Sequence, residues 1–143
     1  MFKPNKEKSE QTLAKINAIF AAAVSEAQKY TVVYGYYVKS GLFSKTTYNY
    51  AVGFSAADKE LVVIPINSDA EVGGETIIFN KANIISAKLG LQGDCIIKAN
   101  NLDKDLRLMV PGFTPPALEA AYVLPVEQTD AAVAFRNFVK GGF

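Results

Sequence analysis

The chain has 143 residues, half of them hydrophobic and 20 % charged, with a formal net charge of +1. That balance fits one α+β domain with a sizeable core, and it excludes general disorder and the basic footprint of a nucleic-acid-binding protein. One cysteine, Cys95, and no histidine exclude an intrachain disulfide, a cysteine-rich metal site and the commonest general base.

Residues 1 to 8 are a polar lead-in. Lys3, Lys6 and Lys8, with the apolar run Ala18 to Val24, imitate a secretion signal. Glu7 and Glu10 spoil its basic part, and Lys15 and Asn17 interrupt the apolar part, so a cytoplasmic chain is expected. No stretch approaches the roughly 20 apolar residues that span a bilayer. Residues 9 to 28 carry Leu13, Ile16, Phe20, Ala23, Val24 and Ala27 at three-and-four spacing, which predicts an amphipathic helix with Ser9 as its N-cap. Whether that helix packs on its own domain or on a neighbouring subunit is open at this point.

From Tyr30 the character changes to strands. Thr31 to Lys39 is rich in β-branched and aromatic residues. Thr46 to Ser55 alternates, with Thr46, Tyr48, Tyr50, Val52 and Phe54 on one side, which predicts one buried and one wetter face. Ala57-Asp58-Lys59 reads as a turn, and Glu60 to Ile66 as the next strand, with Pro65 marking an edge or an end. Glu75 to Phe79, Ile84 to Leu91, Cys95 to Ala99 and Asp105 to Val110 complete seven strands, and Gln92-Gly93-Asp94 is a hairpin turn. Short connections make neighbours antiparallel. Pro111 to Pro125 reads as a long irregular connection, packed through Leu118, Tyr122, Val123 and Leu124. A final helix opens near Thr129, buries Val133, Phe135, Phe138 and Val139, and stops at Gly141. Residues 1–29 thus form a helical extension of a 30–143 strand-rich unit, together one domain.

The segments Glu75-Thr76-Ile77-Ile78-Phe79, Asn83 to Leu89 and Cys95-Ile96-Ile97-Lys98, followed by a C-terminal amphipathic helix, resemble bacterial pleckstrin-homology-like (PH-like) domains. The resemblance covers about residues 30 to 140. It implies a bent antiparallel barrel or sandwich with one open end plugged by the last helix. The leading helix and the proline-rich connection depart from that pattern. Members that bind phosphoinositides grip phosphates with a basic residue ending the first strand and two more in the second. Here the matching positions offer Lys39 and Lys45, with Thr47 where an arginine would complete the grip.

No residue pattern points to catalysis, and no cofactor is implied. The acid pairs Asp69/Glu71 and Asp103/Asp105 lack the multi-oxygen spacing of a calcium loop. Gly73-Gly74 is too short to cradle a phosphate. Six tyrosines fall between Tyr30 and Tyr50, among them Tyr48 and Tyr50, and suit cross-strand packing or an amphipathic interface. Leu42 and Phe43 sit in a connection where they either fold back on the core or meet a partner. These features imply a binding or scaffolding module that meets a protein, or a second copy of itself, through the tyrosine strands, the Leu42-Phe43 tip or a strand edge. Two further readings stay open. One is weak binding to anionic membranes through Lys39, Lys45 and the tip. The other is carriage of a small apolar ligand between the sheet and the first helix.

Overall fold

A computed structural model describes residues 5–143. The first part of the polar lead-in, with Lys3, lies outside them. The elements run α1 (Lys6–Ala23), β1 (Thr31–Ser40), β2 (Lys45–Ser55), β3 (Glu60–Ile66), β4 (Ile77–Phe79), β5 (Ile84–Leu89), β6 (Cys95–Ala99), β7 (Leu106–Leu108), α2 (Pro116–Glu119) and α3 (Thr129–Gly141). The fold is α+β. Strands β1-β2-β3-β4 form one antiparallel sheet and β5-β6-β7 a second. The sheets do not close into a barrel. Among the described residues one bridge, Tyr36 to Met109, joins β1 to the end of β7.

Two apolar layers hold this arrangement. Val33, Val52, Phe54, Leu61, Val63 and Phe79 of the first sheet face Cys95, Ile97 and Leu108 of the second. Helix α3 seals that layer with Ala132, Phe135, Phe138 and Val139. Phe54 meets Phe135 and Phe138 with ring centroids 5.6 and 5.2 Å apart. Val133 is exposed, against expectation. The three-and-four stripe through 132, 135, 138 and 139 leaves it on the far side.

The second layer lies on the opposite face of the first sheet. Ile16 and Phe20 of α1 pack there with Tyr34, Ala51, Val62, Ile64 and the Val123–Val126 segment. Strand β2 is therefore buried on both faces from Asn49 to Ser55, which corrects the expectation of one wetter face. Gly53 shows why the helix fits. A Cβ there would stand 2.0 Å from Phe20 Cζ, so only a glycine lets the ring lie on the strand. The near-continuous apolar run Leu61–Ile64 of β3 is the matching sign of two-sided burial.

Helix α1 is shorter than its apolar stripe suggests. It ends at Ala23, Val24 is extended, and Glu26 adopts a left-handed backbone (φ 54°) before a single 3-10 turn, Ala27–Lys29, leads into β1. Its N-cap is Asn5, whose Oδ1 accepts from the N–H groups of Glu7 (2.9 Å) and Lys8 (3.2 Å). Ser9 lies one turn inside the helix, where its buried hydroxyl accepts from the Glu127 N–H at 2.8 Å.

Strand β5 is broken by a register shift between Ile84 and Ser86. The bulge keeps Ile84, Ala87 and Leu89 against the inter-sheet core and turns Ile85 outward. Strand β3 pairs with β4 only through Leu61–Val63. Pro65 lies beyond that pairing, near the end of a central strand, so its missing N–H costs the sheet nothing.

The 111–128 connection is ordered by its own hydrogen bonds. Phe113 bridges to Glu127, and the Thr114 N–H donates to the Val126 carbonyl at 2.9 Å. The buried Thr114 hydroxyl donates to the Leu124 carbonyl at 2.6 Å and accepts from the Val126 N–H at 3.2 Å. Tyr122 adopts a left-handed backbone (φ 69°). Its carbonyl accepts from Asn49 Nδ2 at 3.1 Å, and the neighbouring Ala121 carbonyl accepts from the Thr47 hydroxyl at 2.5 Å. The connection is thus pinned to the outer face of β2.

Candidate functional site

The β1–β2 hairpin is longer than the core it serves. Its register pairs Thr31 with Phe54 at one end and Ser40 with Lys45 at the other. Up to Tyr36 and Asn49 the hairpin is covered on both faces. Beyond them the cover ends, and the hairpin projects. A tight turn closes the tip, with the Gly41 N–H donating to the Ser44 carbonyl at 2.6 Å. Leu42 and Phe43 at that tip are 91 % and 96 % exposed. They do not fold back on the core.

The alternation of β-strand side chains places Tyr37 and Lys39 on the inner face of the hairpin with Tyr48 and Tyr50. Lys45 belongs to the outer face with Thr47. The two lysines therefore straddle the tip rather than converge. Thr47 is committed elsewhere, to the Ala121 carbonyl. These three residues therefore do not converge on one point.

The inner face of the projecting hairpin opens onto a cleft of about 280 Å³ lined by Tyr37, Lys39, Tyr48, Tyr50, Asp105, Leu106 and Arg107. Three of the six residues singled out from the sequence, Lys39, Tyr48 and Tyr50, meet there. Leu42, Phe43 and Lys45 lie at the tip, outside it. Tyr50 is the floor, only 8 % exposed. Burial, and then the neighbouring Tyr48, push its phenol up to about 12, so it is neutral and a donor at ordinary pH. No hydrogen bond within the described chain engages the hydroxyls of Tyr37, Tyr48 or Tyr50, and no carboxylate lies within ion-pair distance of Lys39 among the described residues. Asp105 lies 3.9 Å from Lys98, and Arg107 lies 4.0 Å from Asp94. The first pair is solvent-exposed, Asp94 of the second is partly buried, and both separations lie at the limit of an ion pair.

Asp105, Leu106 and Arg107 escape a sequence reading of the site, because β7 is remote from β1 in the chain and tertiary packing of Leu108 and Val33 in one core layer, with the Tyr36–Met109 bridge, brings them together. Gln128 escapes it too. Its Oε1 accepts from the Tyr34 N–H at 2.9 Å while its Nε2 donates to the Tyr34 and Pro111 carbonyls, each at 2.9 Å. The side-chain amide thereby stands in for a missing strand beside β1. Asn83 and Asn101 cap the Ile78 carbonyl of β4 in the same manner. Two of the sheet edges are thus blunted by carboxamides.

A larger depression, of about 540 Å³, lies elsewhere, between the β2–β3 turn and the end of α3, lined by Phe54, Phe138, small residues and Lys59. It contains none of the residues marked by the sequence. We place the candidate site at the smaller cleft, where the exposed Tyr48, the buried Tyr50 and free donors meet on the same hairpin that carries the apolar tip. The interface between α1 and the sheet is filled by Phe20 on Gly53, and the depression beside α1 is lined mainly by polar side chains such as Lys8, Lys15 and Asp69. Cys95 is fully buried in the inter-sheet layer, and burial pushes its thiol up to about 12. No group of three or more histidine, cysteine or acidic side chains that could hold a metal occurs among the described residues, and no described helix is long and apolar enough to cross a membrane. No protein-family model matches the chain, and neither a curated protein nor a solved structure matches it.

Proposed function

We propose that the chain is a non-catalytic binding and scaffolding module of the bacterial PH-like type, acting in the cytoplasm, and that it meets a protein partner with the projecting half of the β1–β2 hairpin. Two separate sheets of four and three strands with a helix against their open side support the PH-like reading. The observation that carries the binding reading is the near-complete exposure of Leu42 and Phe43 on a hairpin whose second strand is buried on both faces from Asn49 to Ser55. A folding chain gains nothing from holding two large apolar side chains in water. A partner that covers them gains their burial.

The test is a photo-reactive phenylalanine analogue at position 43, with the same analogue at the equally exposed Leu91 as control. The reading expects adducts, to a partner protein or to a second copy, that form from position 43 and disappear in a Leu42→Ser background. Equal labelling from both positions contradicts it.

A second reading rests on Lys39 and Lys45, one on each face of the same apolar tip. That arrangement suits shallow insertion at an anionic membrane. It expects salt-sensitive sedimentation with vesicles of phosphatidylserine and phosphatidylcholine, lost in a Lys39→Ala/Lys45→Ala variant. Absence of binding even at low salt removes it.

A further inference from the structure

Strands β1 and β7 begin a ladder that they do not continue. Tyr36 and Met109 exchange both backbone hydrogen bonds, the Tyr36 N–H donating at 2.9 Å and the Met109 N–H at 2.6 Å. In an antiparallel pair every second residue presents its backbone to the same side. The next such residue of β1 is Val38, and the next of β7 is Arg107. No bridge joins them, and none follows among the described residues. The two strands splay apart there, and the cleft opens in the gap. Deeper along β1 the same edge is already satisfied, by Met109 at Tyr36 and by Gln128 at Tyr34. Beyond Tyr36, the stretch from Val38 to Ser40 has no neighbour on this edge among the described residues.

We infer that this gap accepts an extended, acidic segment of a partner protein as an added strand between β1 and β7. The shape follows from the backbone. Two strand edges face one cleft, and an extended chain is what pairs with them. The charge follows from the side chains. Lys39 and Arg107 outnumber Asp105 among the lining charges, Lys39 has no carboxylate partner among the described residues, and the three lining tyrosines carry hydroxyls without acceptors in the described chain. Ammonium and phenol groups are donors that a carboxylate satisfies. An alternating acidic strand would set its carboxylates on the inner side, toward Lys39 and the tyrosines, and its remaining side chains on the other face. The inference deepens the protein-binding reading above and rests on it, with the Leu42-Phe43 tip as a separate contact.

The experiment titrates the full chain into a fluorescein-labelled peptide alternating Glu with Val, followed by anisotropy, with a Gln-for-Glu peptide as control. The Glu peptide is expected to bind. Replacing Glu by Gln, or Lys39→Glu in the protein, weakens binding by about tenfold or more. Val38→Pro removes the N–H that faces the gap without changing charge, and it weakens binding comparably while circular dichroism stays native. If Val38→Pro does not fold, Ser40→Pro at the last position of β1 takes its place. On binding, hydrogen exchange slows at the amides of Val38 and Arg107. Equal affinity for the Glu and Gln peptides overturns the inference. So does full affinity in the folded proline variant, unchanged exchange at Val38 and Arg107, or a dimer by light scattering that the proline variant dissolves. Absent peptide binding with position-43 adducts intact overturns the strand addition and leaves the tip reading standing. Peptide binding without such adducts supports the strand addition and removes the tip.

Discussion

The two halves of the β1–β2 hairpin share one register and one turn, yet they serve different ends. In the proximal half, Val33, Tyr34, Ala51 and Val52 are sealed between α1 on one side and the second sheet with α3 on the other. In the distal half, Tyr48, Leu42 and Phe43 stand in water. β-propensity is similar in both, so propensity does not decide burial. What decides it is the reach of the covering elements. The outer cover stops where Thr47 and Asn49 bind the carbonyls of Ala121 and Tyr122, and the inner cover stops at the Tyr36–Met109 bridge. A strand that outruns its core either risks aggregation or is held for a partner.

The comparison breaks most severely if the proximal cover is removed. Phe20→Ala strips the ring from Gly53 and is expected to cost about 3–5 kcal/mol by urea denaturation. Gly53→Val would drive a side chain into the same ring and should displace α1, read as loss of protection in its helical amides. Smaller is the cost of Gln128→Ala. It strands the buried Tyr34 N–H and carbonyl and should destabilise by about 1–3 kcal/mol. Tyr34→Phe removes the hydroxyl that donates to Asn49 Oδ1 and accepts from the Leu124 N–H at 3.0 Å. It is expected at the lower end of that range.

Alkaline pH attacks the same half. Burial raises the thiol of Cys95 and the phenol of Tyr50 to about 12, and the phenol of Tyr34 is raised as well. The folded chain holds these protons more tightly than the unfolded one. Their contribution is therefore full below the unfolded values, about 8.5 for a thiol and about 10 for a phenol. It is lost as pH rises toward about 12. Urea midpoints should fall progressively above about pH 8.5, and Cys95→Ala should delay the onset toward about pH 10. Midpoints that stay flat through this range contradict the burial assigned to these groups.

Much of this architecture is legible in the sequence, and the rest is missing for physical reasons. The seven strands follow from alternation and turn residues, and Gly93 takes the left-handed conformation (φ 85°) that its turn demands. The small residues Ala51 and Gly53 in β2 are the trace of a helix lying on the strand, a sign that alternation alone reads as a wetter face. The end of α1 is misplaced because the stripe continues through Val24 and Ala27 after the helix has stopped. Gln128 caps Tyr34 across 94 positions of sequence. Such a pairing leaves no local pattern. The same is true of β7 beside Lys39. Exposure of Leu42 and Phe43 is likewise a tertiary fact, since a hydrophobic pair beside a glycine serves a folded-back loop equally well.

The smallest expected effect bears on the central claim that the distal hairpin is surplus to folding. The measurement is the urea midpoint of a Leu42→Ser/Phe43→Ser variant against the parent chain. The account predicts a shift within about 0.5 kcal/mol, as for a surface change that removes no packing. A loss comparable to that of Phe20→Ala would show that the tip belongs to the core, and the division between the two halves of the hairpin would fall.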